Sequence, residues 1–204
     1  MSGIIAQNSG RHTGLVKAAS GGGDAVWNLI ETLTSDGSDS DLSFTSGIDD
    51  TYDEYVFKFI NIHPETDSTD LSFNFSTDSG SNYNVTKTTG VFSALHTEDG
   101  TETSLAYRTG FDIASGTGFQ ATGNGNLGND NDQCISGSLH LFNPSSDVFI
   151  KTFISKFNFT EYRDRSYNGF IAGYGNTTSA IDAVQFKMTA DEIQGGSISL
   201  YGIS

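Results

Sequence analysis

The residues that could carry chemistry are scattered along the chain rather than grouped. The four histidines show neither an H-E-x-x-H pattern nor the close spacing of metal ligands; they are His12, His63, His96 and His140. No serine lies in a G-x-S-x-G turn, and the glycine-rich stretches lack the lysine and following helix of a phosphate-binding loop. The chain has 25 acidic residues, but no two of them are marked as a glycosidase pair. The sequence therefore predicts no enzyme, no catalytic residue and no cofactor.

Two short acidic segments contain oxygen ligands at the spacing that hard cations use. Residues 35–41 are SDGSDSD and residues 129–132 are NDND, and carboxylate and amide oxygens suit calcium. Neither segment has the EF-hand order of ligands, glycine and closing glutamate, so solvated turns are the favoured interpretation. Calcium binding stays open as an alternative, and no metal site is predicted.

Cys134 and the charged segment 161–165 are the remaining candidates. A single cysteine permits no disulfide within the chain, and we expect Cys134 to be a half-buried, unreactive thiol. Segment 161–165, EYRDR, is the densest cluster of charges and lies between two predicted strands. We interpret it as a salt-bridged loop or a subunit contact rather than a catalytic site.

Charge and hydropathy exclude two classes of partner. The net charge is -15, so the chain repels phosphate backbones and direct nucleic-acid binding is not expected. No apolar run approaches the roughly 18 residues that span a membrane. The first residues also lack the basic and apolar regions of a signal peptide, so a soluble product without a membrane partner is expected.

The elements that must position these residues are predicted to be β-strands separated by turns, as in an all-β sandwich. We predict nine or ten strands, and no helix beyond one turn at residues 191–194. The strand-like segments are residues 26–33, 42–44 continuing into 51–62, 70–75, 84–95, 137–143, 148–159, 167–174, 180–188 and 197–203, with the short segment 105–111 as the tenth.

Two of these segments show the clearest alternation. In residues 70–75 the side chains of Leu71, Phe73 and Phe75 are predicted to point inward, and those of Ser72 and Asn74 outward.

Residues 148–159 form the longest alternating run, with Phe149 and Phe153 on one face and Ile150 and Ile154 on the other. Lys151 and Lys156 are expected to snorkel at its edges. Residues 116–132, almost all Gly, Asn, Thr and Asp, are predicted to be a long loop of functional or mobile character.

Residues 1–24 precede the first strand and are small and polar, with two short apolar pairs. One interpretation is a frayed terminus; the other is an extended arm that docks on a neighbouring subunit. In the second, the partner-binding anchors are Ile4, Ile5, Leu15 and Val16. The predicted organisation is an arm at residues 1–24 and a single β-sandwich domain at residues 25–204.

Several segments together resemble a known family. They are residues 63–67 (HPETD), 82–89 (NYNVTKTT), 172–188 (AGYGNTTSAIDAVQFKM) and 196–202 (GSISLYG), with 3–5 (GII) and 13–17 (TGLVK) near the start. These resemble virion structural proteins of marine tailed bacteriophages, including those of cyanobacteria. The likeness spans most of the chain and is weakest at residues 97–133, and its motifs are turn and core motifs rather than a site.

The resemblance implies a jelly-roll-like antiparallel sandwich exposed on a virus particle that assembles in the host cytoplasm. A capsid decoration protein would be set on the shell as oligomers, with a homotrimer expected. Its partners would be further copies of itself and the major capsid protein or another virion protein, held through the N-terminal arm.

Two other functions remain open because sandwich folds host many activities. A tail-fibre or receptor-binding module would recognise host glycan through the 116–132 loop and through exposed aromatic residues such as Tyr83, Tyr107 or Tyr162 in a shallow groove. A carbohydrate-active enzyme would need an acidic pair in a cleft.

Overall fold

The computed structural model describes residues 26–123 and 126–204, and in these ranges the chain forms twelve β-strands and no helix. The strands are β1 (Trp27–Thr34), β2 (Leu42–Phe44), β3 (Glu54–Pro64), β4 (Leu71–Ser76), β5 (Lys87–Thr97), β6 (Thr103–Tyr107), β7 (Gln120–Ala121), β8 (Ile135–Phe142), β9 (Lys151–Glu161), β10 (Arg165–Gly175), β11 (Ala183–Met188) and β12 (Ile193–Ile203).

These strands form two sheets. The large sheet has eight strands in the order β1-β12-β3-β8-β9-β10-β5-β6, and the small sheet has four in the order β2-β11-β4-β7. Every neighbouring pair is antiparallel. The predicted all-β antiparallel sandwich is therefore confirmed.

The strand pairs are nested along the chain. β1 pairs with β12, β2 with β11, β3 with β8, and β4 with β7. Two hairpins interrupt this nesting: β5–β6 lies between β4 and β7, and β9–β10 lies between β8 and β11. Both hairpins join the large sheet, which widens it well beyond the small sheet that packs on it.

The core between the sheets is built from phenylalanines that alternate along their strands. Phe57 of β3 packs against Phe44 of β2 and Phe186 of β11, with ring centroids 5.3 and 5.4 Å apart. Phe153 of β9 packs edge-on against Phe73 and Phe75 of β4 at 5.6 and 5.2 Å. Each such buried ring stabilises the fold by roughly 1.5–3 kcal/mol.

Three sequence-based predictions about elements are wrong. No helical turn forms at residues 191–194, because Asp191 has a positive φ of 57° and Ile193 already begins β12. The 148–159 strand begins only at Lys151. The 116–132 segment is predicted as one long loop, but it contains the short strand β7, whose Gln120 is fully buried.

One prediction about side-chain exposure is also wrong, and another is right only in direction. Lys151 does not snorkel: it is fully buried. Ser72 and Asn74 point away from Phe73 and Phe75 as predicted, but both are buried. Asn74 Nδ2, for example, donates to the carbonyls of Tyr83 and Thr117 at 2.6 and 3.0 Å.

The predicted arm, with Ile4, Ile5, Leu15 and Val16, lies outside the described residues. Within residues 26–123 and 126–204, the search for a helix long and apolar enough to cross a membrane finds none.

Candidate functional site

The large sheet has one face that the small sheet does not cover, and we call it the outer face. Residues such as Phe57, Phe153 and Ile171 point toward the small sheet and are buried. Their neighbours along each strand point the opposite way, because side chains alternate across a strand. In antiparallel sheets that face water on one side, such positions are normally polar.

The outer face is instead lined by apolar residues over much of its width. Leu105 of the edge strand β6 is 77% exposed, and Tyr107 and Phe92 beside it are about half exposed. At the opposite edge Trp27 and Leu29 of β1 are also exposed. Side chains paired across the strands connect these two edges, namely Phe170, Ala172, Ile154, His140, Val56 and Tyr201.

Acidic residues are almost absent from this face. Among the paired strand positions that point outward in the described part of the chain, the charged residues are Glu54, Lys58 and Lys156. The whole chain has 25 acidic residues and a net charge of -15. The outer face is therefore weakly cationic on a strongly acidic protein, so self-repulsion between copies is least here.

Both lysines of the outer face lie over aromatic rings. Lys156 Nζ is 5.8 Å from the ring centroid of Phe170, which itself stacks on Phe92 at 4.8 Å. Lys58 Nζ is 5.3 Å from the ring of Trp27. Stems that lie along the rings keep the ammonium groups at the surface. The face is thus an ordered aromatic surface with two fixed positive charges.

Two shallow grooves lie side by side on this face. The Leu105 groove, of about 220 Å³, is lined by Phe92, Ala94, Leu105, Lys156, Asn168, Gly169 and Phe170. The His140 groove, of about 210 Å³, is lined by His140, Phe142, Ile154, Lys156 and Phe170. Both are smaller than the roughly 300–1,000 Å³ pockets that take small ligands. Their size suits inserted side chains of a protein partner.

A second exposed apolar feature is the loop before β9, where three large apolar residues follow one another. Phe149 is 68% exposed, with Val148 and Ile150 also exposed beside it. The hydroxyl of Ser146 accepts the backbone N–H groups of Val148 and Phe149 at 3.2 and 2.9 Å. We call residues 148–150 the apolar tip.

Lys151 orders this loop through its buried ammonium group. Its buried ammonium donates to the carbonyls of Ser146, Phe149 and Thr177. Burial lowers the pKa of Lys151, and the charge of Asp147 opposes that shift. Three carbonyls bound to one ammonium make the loop a preorganised projection rather than a flexible one.

A second buried lysine lies at the same end of the sandwich. Lys87 Nζ donates to Asn74 Oδ1 and to the carbonyl of Val85, and burial lowers the pKa of Lys87 to about 8. Gln120 continues this polar layer by accepting from Thr89 at 2.7 Å and donating to the carbonyls of Phe111 and Ala121. These groups satisfy one another internally and none of them faces the surface.

The charged segment 161–165 forms the salt-bridged loop that its sequence predicts. The carboxylate of Glu161 is 2% exposed and receives the guanidinium groups of Arg165 and Arg163. Arg165 also reaches Glu102 at 3.0 Å. The hydrogen bond from Arg165 to Glu161 is the main cause that raises the pKa of Arg165.

A polar pocket of about 300 Å³ lies beside this loop and is lined by Thr97, Glu98, Asp99, Arg163 and Asp164. It is the nearest feature to the acidic cleft that a glycosidase would need. Hydrogen bonds from Thr101 lower the pKa of Asp99, whereas a general acid needs a raised pKa. We assign no chemistry to this pocket.

The aspartates of residues 35–41 bind to their own turn. Asp36 Oδ1 accepts from the backbone N–H and hydroxyl of Ser38, and Asp39 Oδ2 accepts the N–H of Asp36 at 2.8 Å. In the 129–132 segment Asn129 donates to the carbonyl of Glu65. No group of three or more His, Cys, Asp or Glu side chains within the described residues could hold a metal ion.

The histidines and the cysteine are not brought together. His63 Nδ1 lies 2.6 Å from the carbonyl oxygen of Gln133, and His140 Nδ1 lies 2.7 Å from Glu54 Oε1. His12 is outside the described residues. Cys134 is half-buried as predicted, and burial raises the pKa of its thiol.

The three tyrosines expected in a glycan groove are also separate. Tyr107 lies on the outer face and donates to Asp112 at 2.9 Å. Tyr83 has a buried hydroxyl, and Tyr162 lies beneath the guanidinium of Arg163 at 4.6 Å.

The outer face and the apolar tip were missed by reasoning from the sequence alone. A signal was present, because segments such as 51–62 and 148–159 have apolar residues on both faces of the strand. A strand with two apolar faces is also usual in the centre of a sandwich, so this pattern does not by itself indicate an exposed apolar face. The register between distant strands, which places Phe92 beside Phe170, cannot be taken from either segment alone.

Comparisons of the chain with protein-family models, with curated proteins and with solved structures find no match.

Proposed function

We propose that this chain is a non-enzymatic structural protein of a bacteriophage virion, a capsid decoration protein that is attached to the shell surface as an oligomer. The observation that carries the proposal is the outer face, which is apolar, aromatic and nearly free of carboxylates on a chain of net charge -15. Exposed apolar patches of this kind are typical of surfaces that another protein covers.

The strand order supports a jelly-roll form of the sandwich. The four nested pairs, β1/β12, β2/β11, β3/β8 and β4/β7, are what results when one long antiparallel hairpin is rolled into two facing sheets. The inserted hairpins β5–β6 and β9–β10 then extend one sheet. This extension creates much of the outer face, including the Leu105 groove, so the added strands would serve assembly.

The charge distribution supports a role for residues 1–25 in attachment. This segment contains Arg11, Lys17 and Asp24 and has a formal charge of +1. Because the whole chain has a net charge of -15, residues 26–204 have a charge of -16. A basic segment with two apolar pairs, Ile4-Ile5 and Leu15-Val16, is suited to bind an acidic neighbouring subunit or the shell.

The copy number of the chain per particle tests this role. Purified virions would be analysed by quantitative mass spectrometry, with the major capsid protein as the internal standard. Hundreds of copies per particle are expected for a decoration protein. A few to a few dozen copies would place the chain on the tail or a vertex and overturn the decoration role.

Deletion of residues 1–20 tests the means of attachment. The truncated chain should no longer bind to particles that lack the protein, while its thermal unfolding stays that of the full chain. A second variant exchanges Ile4, Ile5, Leu15 and Val16 for serine in the full-length chain, and it should lose binding in the same way. Full occupancy of particles by the truncated chain would refute attachment through the arm.

One observation favours a second function, a tail-fibre or receptor-binding module that recognises host glycan. The Leu105 groove combines the stacked rings of Phe92 and Phe170 with the amide of Asn168, and sugars bind to aromatic faces flanked by polar groups. A low copy number together with retention of the chain on host surface glycan would favour this function.

A further inference from the structure

The apolar tip and the Leu105 groove are complementary features on the same chain. The tip presents Val148, Phe149 and Ile150 to solvent, directly after Asp147. The groove is lined by Phe92, Leu105 and Phe170 around the ammonium of Lys156. One feature is apolar with a single negative charge, and the other is apolar with a single positive charge.

We propose that the apolar tip of one copy docks into the Leu105 groove of a second copy, with Phe149 as the aromatic anchor and Asp147 beside Lys156. This inference deepens the proposed function, on which it rests for the outer face being a covered surface. It names the partner of that surface, a second copy of this chain. It also makes the contact heterologous, because different surfaces of the two copies meet.

The tip has the properties of an interface anchor. Binding energy at protein interfaces is concentrated in a few aromatic or aliphatic side chains that enter pockets. Three carbonyl contacts from Lys151 hold the loop before binding, so little conformational entropy is lost when the tip docks. Burial of the Lys151 ammonium is costly, and the charge of Asp147 offsets only part of that cost, because the pKa of Lys151 is still lowered. The ordered tip is the structural result of placing a buried lysine here.

The Leu105 groove fits the tip better than the His140 groove. Glu54 lies 2.7 Å from His140 and places a carboxylate beside that second groove. Lys156 lines both grooves, but in the His140 groove Asp147 of an incoming tip would also meet the carboxylate of Glu54. The residues that line the Leu105 groove include one charged side chain, that of Lys156.

The tip cannot reach the groove of its own chain. Ala94 in the groove is level with Asn168 and Asn158 across the strands. Lys151, three residues after Val148, is seven residues from Asn158 along β9, a distance of about 23 Å at about 3.3 Å per residue. A disulfide needs Cα atoms within about 7 Å. Cysteines at positions 148 and 94 can therefore bond only between copies.

The experiment uses the full chain with Cys134→Ser as background, to which Val148→Cys and Ala94→Cys are added singly and together, so that the anchor Phe149 is kept. Under mild oxidation the double variant should form covalent oligomers, and peptide mapping should find disulfides between positions 148 and 94. Each single variant should stay uncross-linked.

A cross-link between two copies of position 148 would show that the tips meet each other, and it would overturn the proposal. An oligomer that lacks the expected disulfide would also overturn the proposal. A monomer that lacks the disulfide would indicate another occupant of the groove, such as residues 1–25 of the same chain, and would equally overturn the proposal.

Sedimentation of the Phe149→Ser variant provides a second measurement. Because Phe149 is exposed, its loss should leave thermal unfolding unchanged, and self-association should weaken about thirtyfold or more. Ile60→Ser is the matched control, since Ile60 is an exposed apolar residue of the outer face away from both grooves.

Unchanged association of Phe149→Ser would refute the tip as the anchor. Failure of this contact leaves the decoration role intact if virions still hold hundreds of copies. A low copy number with intact cross-linking would reject the decoration role and leave the contact in place.

Discussion

The two ends of the β9–β10 hairpin bury charge in opposite ways. At one end Gly175 is paired with Lys87 on one side and Lys151 on the other, and both lysines are fully buried. At the other end Arg165 is paired with Glu161. The first end holds two ammonium groups that donate only to neutral oxygens, with the charge of Asp147 acting on Lys151, and the second holds an ion pair.

The difference shows what each end contributes. Glu161 and Arg165 compensate each other, so the hairpin turn is fixed by groups that would be costly to separate. The lysines have no carboxylate bound to them among the described residues, and burial lowers the pKa of both. Lys87 is an uncompensated buried charge, which does not stabilise a fold, and Lys151 is compensated only in part by Asp147. Lys151 nevertheless orders the loop that presents the apolar tip. Burial of the two lysines therefore lowers the stability of this end, and at Lys151 it produces a rigid binding element.

The largest expected effect comes from removing one partner of the ion pair. Arg165→Met leaves the carboxylate of Glu161 buried with only the half-exposed Arg163 beside it. We expect the free energy of unfolding to fall by about 3–5 kcal/mol, measured by urea denaturation. The double variant Glu161→Gln with Arg165→Met should recover most of the loss. A fall below about 1 kcal/mol would mean that this end is not held by the pair.

At the lysine end we expect a substitution to raise the free energy of unfolding rather than lower it. Lys87→Met removes a buried charge while Asn74 Oδ1 keeps its bond from the backbone N–H of Phe75. At pH 7 the free energy of unfolding should rise by about 1–3 kcal/mol, because the shift in the pKa of Lys87 from 10.5 to about 8 corresponds to about 3 kcal/mol. The exposed Lys58→Met is the control and should change it by less than about 0.5 kcal/mol. A clear loss of stability in Lys87→Met would contradict the comparison.

The advantage of Lys87→Met should disappear in alkali. Below pH 8 Lys87 is protonated in both the folded and unfolded states, so the full cost of its burial is present. Between about pH 8 and 10.5 the folded protein has lost this proton and the unfolded chain has not, so wild-type stability rises with pH relative to the variant. Denaturation curves at pH 7, 9 and 10.5 should show the two proteins converging. A constant difference across this range would exclude Lys87 as the cause.

The smallest effect is expected from Glu102, the exposed member of the ion-pair network. Glu102 binds Arg165 at 3.0 Å, but its side chain is 54% exposed. Glu102→Gln should lower the free energy of unfolding by about 0–1 kcal/mol in the same urea assay. A loss comparable with that of Arg165→Met would show that the network, rather than the buried pair, holds this end.

Local alternation predicted much of the fold. The inward positions of Leu71, Phe73 and Phe75 are correct because they depend only on the two-residue period of a strand. The early start predicted for the 148–159 strand is wrong because the hydroxyl of Ser146 binds the N–H groups of Val148 and Phe149 and keeps them out of the sheet.

The burial of Lys151 and the outer face depend on contacts between distant residues. Thr177, 26 positions further along the chain, supplies one of the carbonyls that make burial of Lys151 tolerable. Phe92 and Phe170 stack only because β5 and β10 pair in one particular register. A one-residue slip of β5 in that register would place Phe92 on the face opposite to Phe170.

The most direct test of the outer face as a protein-covered surface is the mass of the native chain in solution, measured by sedimentation equilibrium over a range of concentrations. The chain alone has a mass of 21.8 kDa. We expect the native protein to have a multiple of this mass, with a trimer predicted, and the Leu105→Lys variant to shift toward 21.8 kDa without loss of thermal stability. A native protein that stays at 21.8 kDa at every concentration would contradict self-assembly through this face.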